Sequence, residues 1–438
     1  MKSAIDQAPL LLEELPVARV WAGHKVNMAL VSSGAWQYVG YYDENRNMVI
    51  AMRRLGTDVW SRRILDTKIL GWDSHNSISL GVDSNECLHV SGNMHATPMI
   101  YFRMEIPHDL DSIHPARMVG RDEQQCTYPR FMTGPAGTFM FHYRSGYSGN
   151  GYEIYNAYEP ETRQWRRFLD QPLSDGSGRC NAYFFQPDPV AGPDGFFHLG
   201  WMWRDSGDCS SNHDICYARS RDLLHWENAA GDSLALPLTP DSPGIIVLTT
   251  APSGSGVINM GNRIGFDSER RPVLSFHKYD ENGRSRIYNA RLLSPGKWQI
   301  VAVGNWTFEQ RWEFQGVGSI PQQIHFSAVT PQRDGSLLQA FDFSGRSAGV
   351  WRLAPDTLEV QEIFPPIHPL PLELEHLREL SEDCSVWTVS DSGGCVNAPF
   401  EYILRWEAPQ HNRDHQLEKT LPLSSQLSVC RITKRYLL

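Results

Sequence analysis

One turn-and-strand pattern recurs along the chain and limits the fold more than any other feature. It begins near Ser33-Gly34, Asp83-Ser84, Gly134-Pro135, Asp194-Gly195, Asp267-Ser268, Asp334-Gly335 and Asp391-Ser392-Gly393. A tight turn opens each copy, because Asp, Ser and Gly accept the backbone angles that tight turns need. An alternating apolar strand follows, as in "GPDGFFHLGWMWRD" and "QRDGSLLQAFDFSG". A polar connection and a second strand complete the unit. Side chains at period two mark strands with one face turned to a core. Helical periodicity is nearly absent, and "PLELEHLRELSED" (371–383) is the one fair helical candidate.

Repeats of roughly 50–70 residues with several strands each predict a β-propeller. Seven turns predict an all-β, seven-bladed β-propeller, a single domain over residues 1–438 whose N- and C-terminal segments close the ring. A pair of β-sandwiches is the alternative, and seven similar units fit a closed ring better. "YARSRDLLHW" (217–226) resembles the Asp-box turn of sialidase-like propellers, Ser-x-Asp-x-Gly-x-x-Trp, with Leu224 in the glycine position. The chain can fill such cores: of 438 residues, 41% are hydrophobic and 14 are Trp.

The formal charge is −10 with no long basic run, which argues against nucleic acid, since phosphate binding needs clustered Lys and Arg. No stretch could span a bilayer as a helix, and the N-terminus lacks a signal-peptide apolar core. The sequence as written is expected to be cytoplasmic; a removed leader would make it periplasmic or secreted.

Two histidines stand out. His75 lies in Trp72-Asp73-Ser74-His75-Asn76, and His95 ends Ser91-Gly92-Asn93-Met94-His95. In a propeller, the polar connections after the first strand of each hairpin gather at one end of the channel. Those connections carry His95, Arg144, Arg204-Asp205 and His277-Lys278. His277 and Lys278 read most simply as a solvated charge pair. His142 should point away from Tyr143's side of the strand.

Several long segments carry a family resemblance. "WDSHN", "SGNMHATPMIYFR", "TYPRFMTGPAGTFMFHYRSGYSGNGYEIYNAY", "NAYFFQPDPVAGPDGFFHLGWMWRD" and "NHDICYARSRDLLHWENA" resemble the BNR-4 propeller group. Within it the likeness is greatest to the ulvan lyases of polysaccharide lyase families 24 and 25. The resemblance implies β-elimination on a uronic acid, with an acidic oligo- or polysaccharide as substrate. That chemistry needs a cation or strong donors for the uronate carboxylate, a base for the C5 proton and an acid for the leaving oxygen. By resemblance, His75, Tyr128 and Arg144 are the catalytic set, with Arg144 on the carboxylate and proton transfer divided between His75 and Tyr128. His95, Asn76, Tyr183 and Arg204 are the substrate-binding set. Two other readings stay open: a rhamnosidase-type hydrolase on the same scaffold, and a propeller that binds glycans without cleaving them. On the bland reading Tyr128 and Arg144 form a structural hydrogen-bond pair.

"RDSGDCSSNHDICYARS" offers Asp205, Cys209, His213 and Cys216. Thiolate and imidazole together favour Zn2+, and four protein ligands would make the zinc structural. Two free thiols and a histidine are the alternative. No organic cofactor is expected.

Overall fold

The computed structural model describes residues 8–251, 254–304, 311–344, 347–394, 398–416 and 424–434. Each of the seven expected turns leads into a long strand of a different antiparallel sheet. In five of them the turn aspartate accepts the amide two residues on: Asp83 from Asn85, Asp194 from Phe196, Asp267 from Glu269, Asp334 from Ser336 and Asp391 from Gly393. That local bond is why an Asp turn reads so clearly in sequence. At Gly134 a glycine-rich turn does the same work, closed by the Gly134 amide on the Thr138 carbonyl at 2.8 Å.

Among the described residues the strands form seven sheets. Numbered along the chain, sheet one spans Ala29–Ser33 to Ser61–Lys68, and sheet two spans Ile78–Val82 to Ile113–Pro115. Sheet three spans Cys126–Thr133 to Gln164–Arg167 and takes His95–Thr97 as an added edge strand. Sheet four spans Asn181–Phe184 to Ile246–Leu248, sheet five Arg263–Phe266 to Lys297–Ala302, and sheet six His325–Phe326 to Val360–Phe364. Sheet seven joins Cys384–Ser390, Phe400–Pro409 and Ser424–Thr433 to the N-terminal strand Leu11–Trp21.

The apolar core lies between sheets. One cluster packs Tyr38, Ile50 and Met52 of sheet one on Leu80, Val90 and Phe102 of sheet two. The next clusters join sheets two and three, three and four, four and five, and five and six. Another packs Val17, Leu404 and Leu427 of sheet seven on Val39 and Val49 of sheet one.

Two local expectations change. The helix near 371–383 is confined to Leu372–Glu375. Beyond it, the amides of Arg378, Glu379 and Leu380 all donate to the buried Glu407 carboxylate, at 2.8, 3.0 and 2.9 Å. That carboxylate outcompetes the helical carbonyls for those amides. His277, expected on a face, is fully buried among Tyr279, Trp312 and Phe314. Burial lowers its pKa to about 3, so it sits there neutral. The Asp-box turn forms in part: Asp222 accepts the Leu224 and His225 amides and Trp226 is buried, but Trp226 stands one residue before the box's tryptophan position. Its left-handed residue is Leu223, with φ 61°, so position 224 does not require glycine.

Candidate functional site

The loop before sheet two carries His75. Asp73 shapes it as an Asx turn, accepting the His75 amide at 2.9 Å. The same carboxylate reaches both histidines: Oδ1 to His75 Nδ1 at 2.7 Å, and Oδ2 to His95 Nδ1 at 2.5 Å. The two rings stack with centroids 4.0 Å apart. Burial alone would raise the Asp73 pKa. The bonds from His75 and His95 outweigh it and hold the carboxyl well below the usual carboxylate range. Asp73 thus fixes both ring orientations and leaves each Nε2 free of that bond. His95 reaches this position because its short strand leaves sheet two and pairs with Cys126 and Thr127 of sheet three.

Tyr128 lies 5.6 Å from His75, ring to ring. Its φ is 58°, a left-handed conformation beside a break in the ladder between Thr127 and Arg130. Such backbone costs of order 1 kcal/mol and persists where the surroundings over-determine it. The bulge aims Tyr128 at Tyr183, 6.5 Å away. The Arg144 guanidinium lies 5.0 Å from the Tyr128 ring, and that of Arg204 lies 5.0 Å from the Tyr183 ring. Arg144 donates to the Tyr183 hydroxyl and to Thr127 Oγ1, both at 3.1 Å.

These neighbours drive the two phenols apart. Burial and the adjoining Tyr183 push Tyr128 well above the ordinary tyrosine value, tempered because the residue is 37% exposed. Burial also penalises the Tyr183 phenolate, but Arg144 and Arg204 outweigh it and set the Tyr183 pKa below the ordinary value. Ser148 Oγ, 2.7 Å from the Tyr183 hydroxyl, adds a further bond.

Asp73, His75, His95, Tyr128, Ser148, Tyr183 and Arg204 line one cleft of about 600 Å³. Val317–Ile320, His411 and Asp414 also line it. The sequence set is therefore brought together, with two changes of position. Both arginines are buried; Arg144 lines a second cavity beside the tyrosines, whereas Arg204, which also donates to the Ser206 and Gly207 carbonyls, lines the cleft. Asn76 is buried and outside the cleft lining; its carbonyl accepts the Tyr42 hydroxyl at 2.7 Å where the chain turns into sheet two. His142 faces away from Tyr143 as expected, between Glu153 at 2.8 Å and Asp188 at 2.9 Å. Sequence reading missed Asp73, whose signal was the Asp-x-His spacing itself, and Ser148 and Asp414, which carry no local signal.

The expected zinc quartet is not gathered. Cys209 packs with Ile258 and Phe314 against sheets five and six, whereas Cys216 is buried between sheets three and four. His213 instead pairs with Asp205 at 3.0 Å and Asp214 at 3.1 Å. Both cysteines are free thiols. Among the described residues, the group of His, Cys, Asp or Glu atoms close enough to share an ion is Asp73, His75 and His95, within 4.8 Å of one another. There the carboxylate already engages both Nδ1 atoms, so the arrangement is that of an oriented histidine pair.

Comparison with known proteins agrees with this architecture. The profile of the BNR repeat-containing family matches residues 36–306. No curated protein sequence matches the chain. Among solved structures, the polysaccharide lyase Uly1 superposes with a TM-score of 0.63 at 13% identity, over 97% of this chain and 100% of that one. A PL25 ulvan lyase superposes at 0.56 and 12% identity, over 91% and 94% of the two chains, both free and bound to -[GlcA(1-4)Rha3S]-. On the strength of the profile match the chain belongs to the BNR repeat-containing family, and its all-β fold is the fold of these lyases.

Proposed function

We propose that this protein is a lyase that cleaves an acidic oligo- or polysaccharide by β-elimination beside a uronic acid. The scaffold is read as a single seven-bladed ring closed by its first and last segments. One observation carries the functional reading: two histidines oriented by one carboxylate share a cleft with a tyrosine pair, and a guanidinium lies 5.0 Å from each phenol ring.

The geometry supports the following roles. Arg204 in the cleft wall takes the uronate carboxylate and stabilises the charge that builds on it. Arg144, held beside the tyrosines, biases their protons. His75, with Nδ1 on Asp73, offers Nε2 to the C5 proton. As that proton leaves, the C4–O bond breaks, a C4–C5 double bond forms, and the bond electrons go to the leaving oxygen. Tyr128 keeps its proton at rest and delivers it to that oxygen. His95 orients the sugar beside His75.

The test is a panel of uronate-bearing glycans followed by ultraviolet absorbance and by reducing ends. Elimination yields an unsaturated uronate that absorbs, and His75→Ala should slow its appearance by about 10²–10⁴-fold. A carboxyl-reduced glycan should be inert, because the carboxylate acidifies the C5 proton. New reducing ends without absorbance, or cleavage of the reduced glycan, would replace the lyase reading with a hydrolase.

A further inference from the structure

Three segments far apart in sequence meet on one carboxylate in the cleft wall. Asp414 Oδ1 accepts the Ser74 amide at 3.1 Å and the Ser74 hydroxyl at 2.9 Å. Its Oδ2 accepts the Ser319 amide at 3.0 Å. The hydroxyls of Ser74 and Ser319 lie 2.6 Å apart. Arg413 completes the knot: its amide donates to the Ser319 carbonyl at 2.7 Å, and its guanidinium to Val317 and Gln315 carbonyls at 3.0 and 2.9 Å. The backbone is committed to this arrangement. Arg413 and Asp414 are both left-handed, with φ 51° and 60°. A Cβ on Gly318 would come within 2.6 Å of the Arg413 carbonyl oxygen, so the wall loop needs glycine there. Two adjacent left-handed non-glycine residues are costly and persist only under such constraint.

Ser74 is the link to the chemistry. It stands between Asp73, which orients both histidines, and His75. Asp414 Oδ2 itself lies 3.9 Å from His75 Nδ1, and Oδ1 lies 3.7 Å from the buried His24 Nε2. Burial would raise the Asp414 pKa, but His24, the Ser74 and Ser319 amides and His75 outweigh it, so the group stays anionic.

We propose that Asp414 is the positioning residue for His75: it pins the 73–75 turn to the 317–320 loop and places a second carboxylate beside the imidazole. An imidazolium formed when His75 takes a proton would then face two anions, Asp73 and Asp414. The effect belongs to the proton-transfer step and not to substrate binding. This inference rests on the lyase reading for its kinetic arm, and on the turn geometry alone for its spectroscopic arm.

The experiment compares Asp414→Asn and Ser74→Ala, alone and in a His75→Ala background, in the full chain. Asp414→Asn should lower kcat by about 10²-fold, the scale of a small misplacement of a reacting group, with KM little changed. In the His75→Ala background it should cost nothing further, because the two residues act as one unit. Ser74→Ala should reproduce part of the loss. Equal losses in both backgrounds, or a rise in KM alone, would overturn the proposal. If no glycan is cleaved, the lyase reading fails separately and ring-nitrogen NMR of His75 decides. The Nδ1 proton should be sharp in the wild type and exchange-broadened in Asp414→Asn. An unchanged His75 resonance in a folded Asp414→Asn protein overturns the positioning role.

Discussion

Tyr128 and Tyr183 share a side chain and differ in proton affinity because of where two guanidiniums lie. Arg144 donates to the Tyr183 hydroxyl and Arg204 covers the Tyr183 ring, while Tyr128 is left beside a phenol that tends to ionise. Replacing Tyr128 by Phe should cost about 10²–10⁴-fold in turnover, the usual worth of a proton-transfer group. Replacing Tyr183 by Phe should act differently. Without a second phenol to compete for the guanidiniums, Arg144 favours the Tyr128 phenolate, and the alkaline limb of the kcat/KM profile should move to lower pH. A limb that stays in place in Tyr183→Phe would rule out the proton-sharing account. His142 gives a second pH effect, on stability. Burial would lower its pKa, but Asp188 and Glu153 outweigh that and raise it to about 9. A raised histidine stabilises the fold fully below its unfolded value of roughly 6.5, and that contribution fades as pH rises through the folded value. The stability gap between wild type and His142→Gln should therefore narrow as pH is taken from about 6 to above 9. Urea unfolding at several pH values measures it, and a gap that widens with pH contradicts the sign.

At the scale of elements, the segment before sheet seven shows what local pattern cannot decide. The run 371–383 has helical spacing, yet its amides turn to Glu407, whose side chain is 1% exposed and pairs with Arg405 at 2.8 Å. Glu407→Gln should cost about 3–5 kcal/mol, since it leaves a buried guanidinium without its anion. Chemical denaturation would show it, and a loss below about 1 kcal/mol would mean the segment holds without that charge. The same contrast divides what was legible in the sequence from what was not. Asp turns and period-two strands were readable because each is fixed by bonds within a few residues, and all seven turns fall where the pattern put them. His75, His95, Tyr128 and Tyr183 were found through motif likeness and Arg204 through its place in a polar connection, and the structure brings them to one cleft. The zinc quartet failed because spacing ignores direction: Cys209 and Cys216 enter different apolar clusters. The 317–320 and 411–414 wall was invisible, because its function comes from meeting the 73–75 turn across more than two hundred residues.

On the scale of the whole molecule, the first strand holds the two ends of the chain together. Leu11–Trp21 pairs with Ser424–Thr433 along nearly its full length. Arg378 Nη1 reaches Glu14 at 2.7 Å, and Arg19 pairs with Glu379. The seventh sheet is also tied to the first, where Asp391 accepts the Ser32 amide at 2.8 Å and the Ser392 amide donates to Leu30 at 3.0 Å. Because apolar clusters lie between successive sheets, losing one strand exposes two partners at once. Val17, Val20 and Trp21 are each at most 2% exposed, and at about 1.5–3 kcal/mol per buried side chain their removal is worth several kcal/mol. Trp21 also packs on Trp72, 5.6 Å away, in the loop that carries Asp73 and His75. A chain beginning at residue 24 should thus unfold at a markedly lower temperature and lose turnover together. Adding a peptide of residues 8–23 should restore both, since the vacated edge of Ser424–Thr433 is a ready template for strand addition. Thermal unfolding and glycan cleavage, measured with and without the peptide, decide it: a truncated chain that melts and turns over like the full one would show that the seventh sheet closes without its first strand.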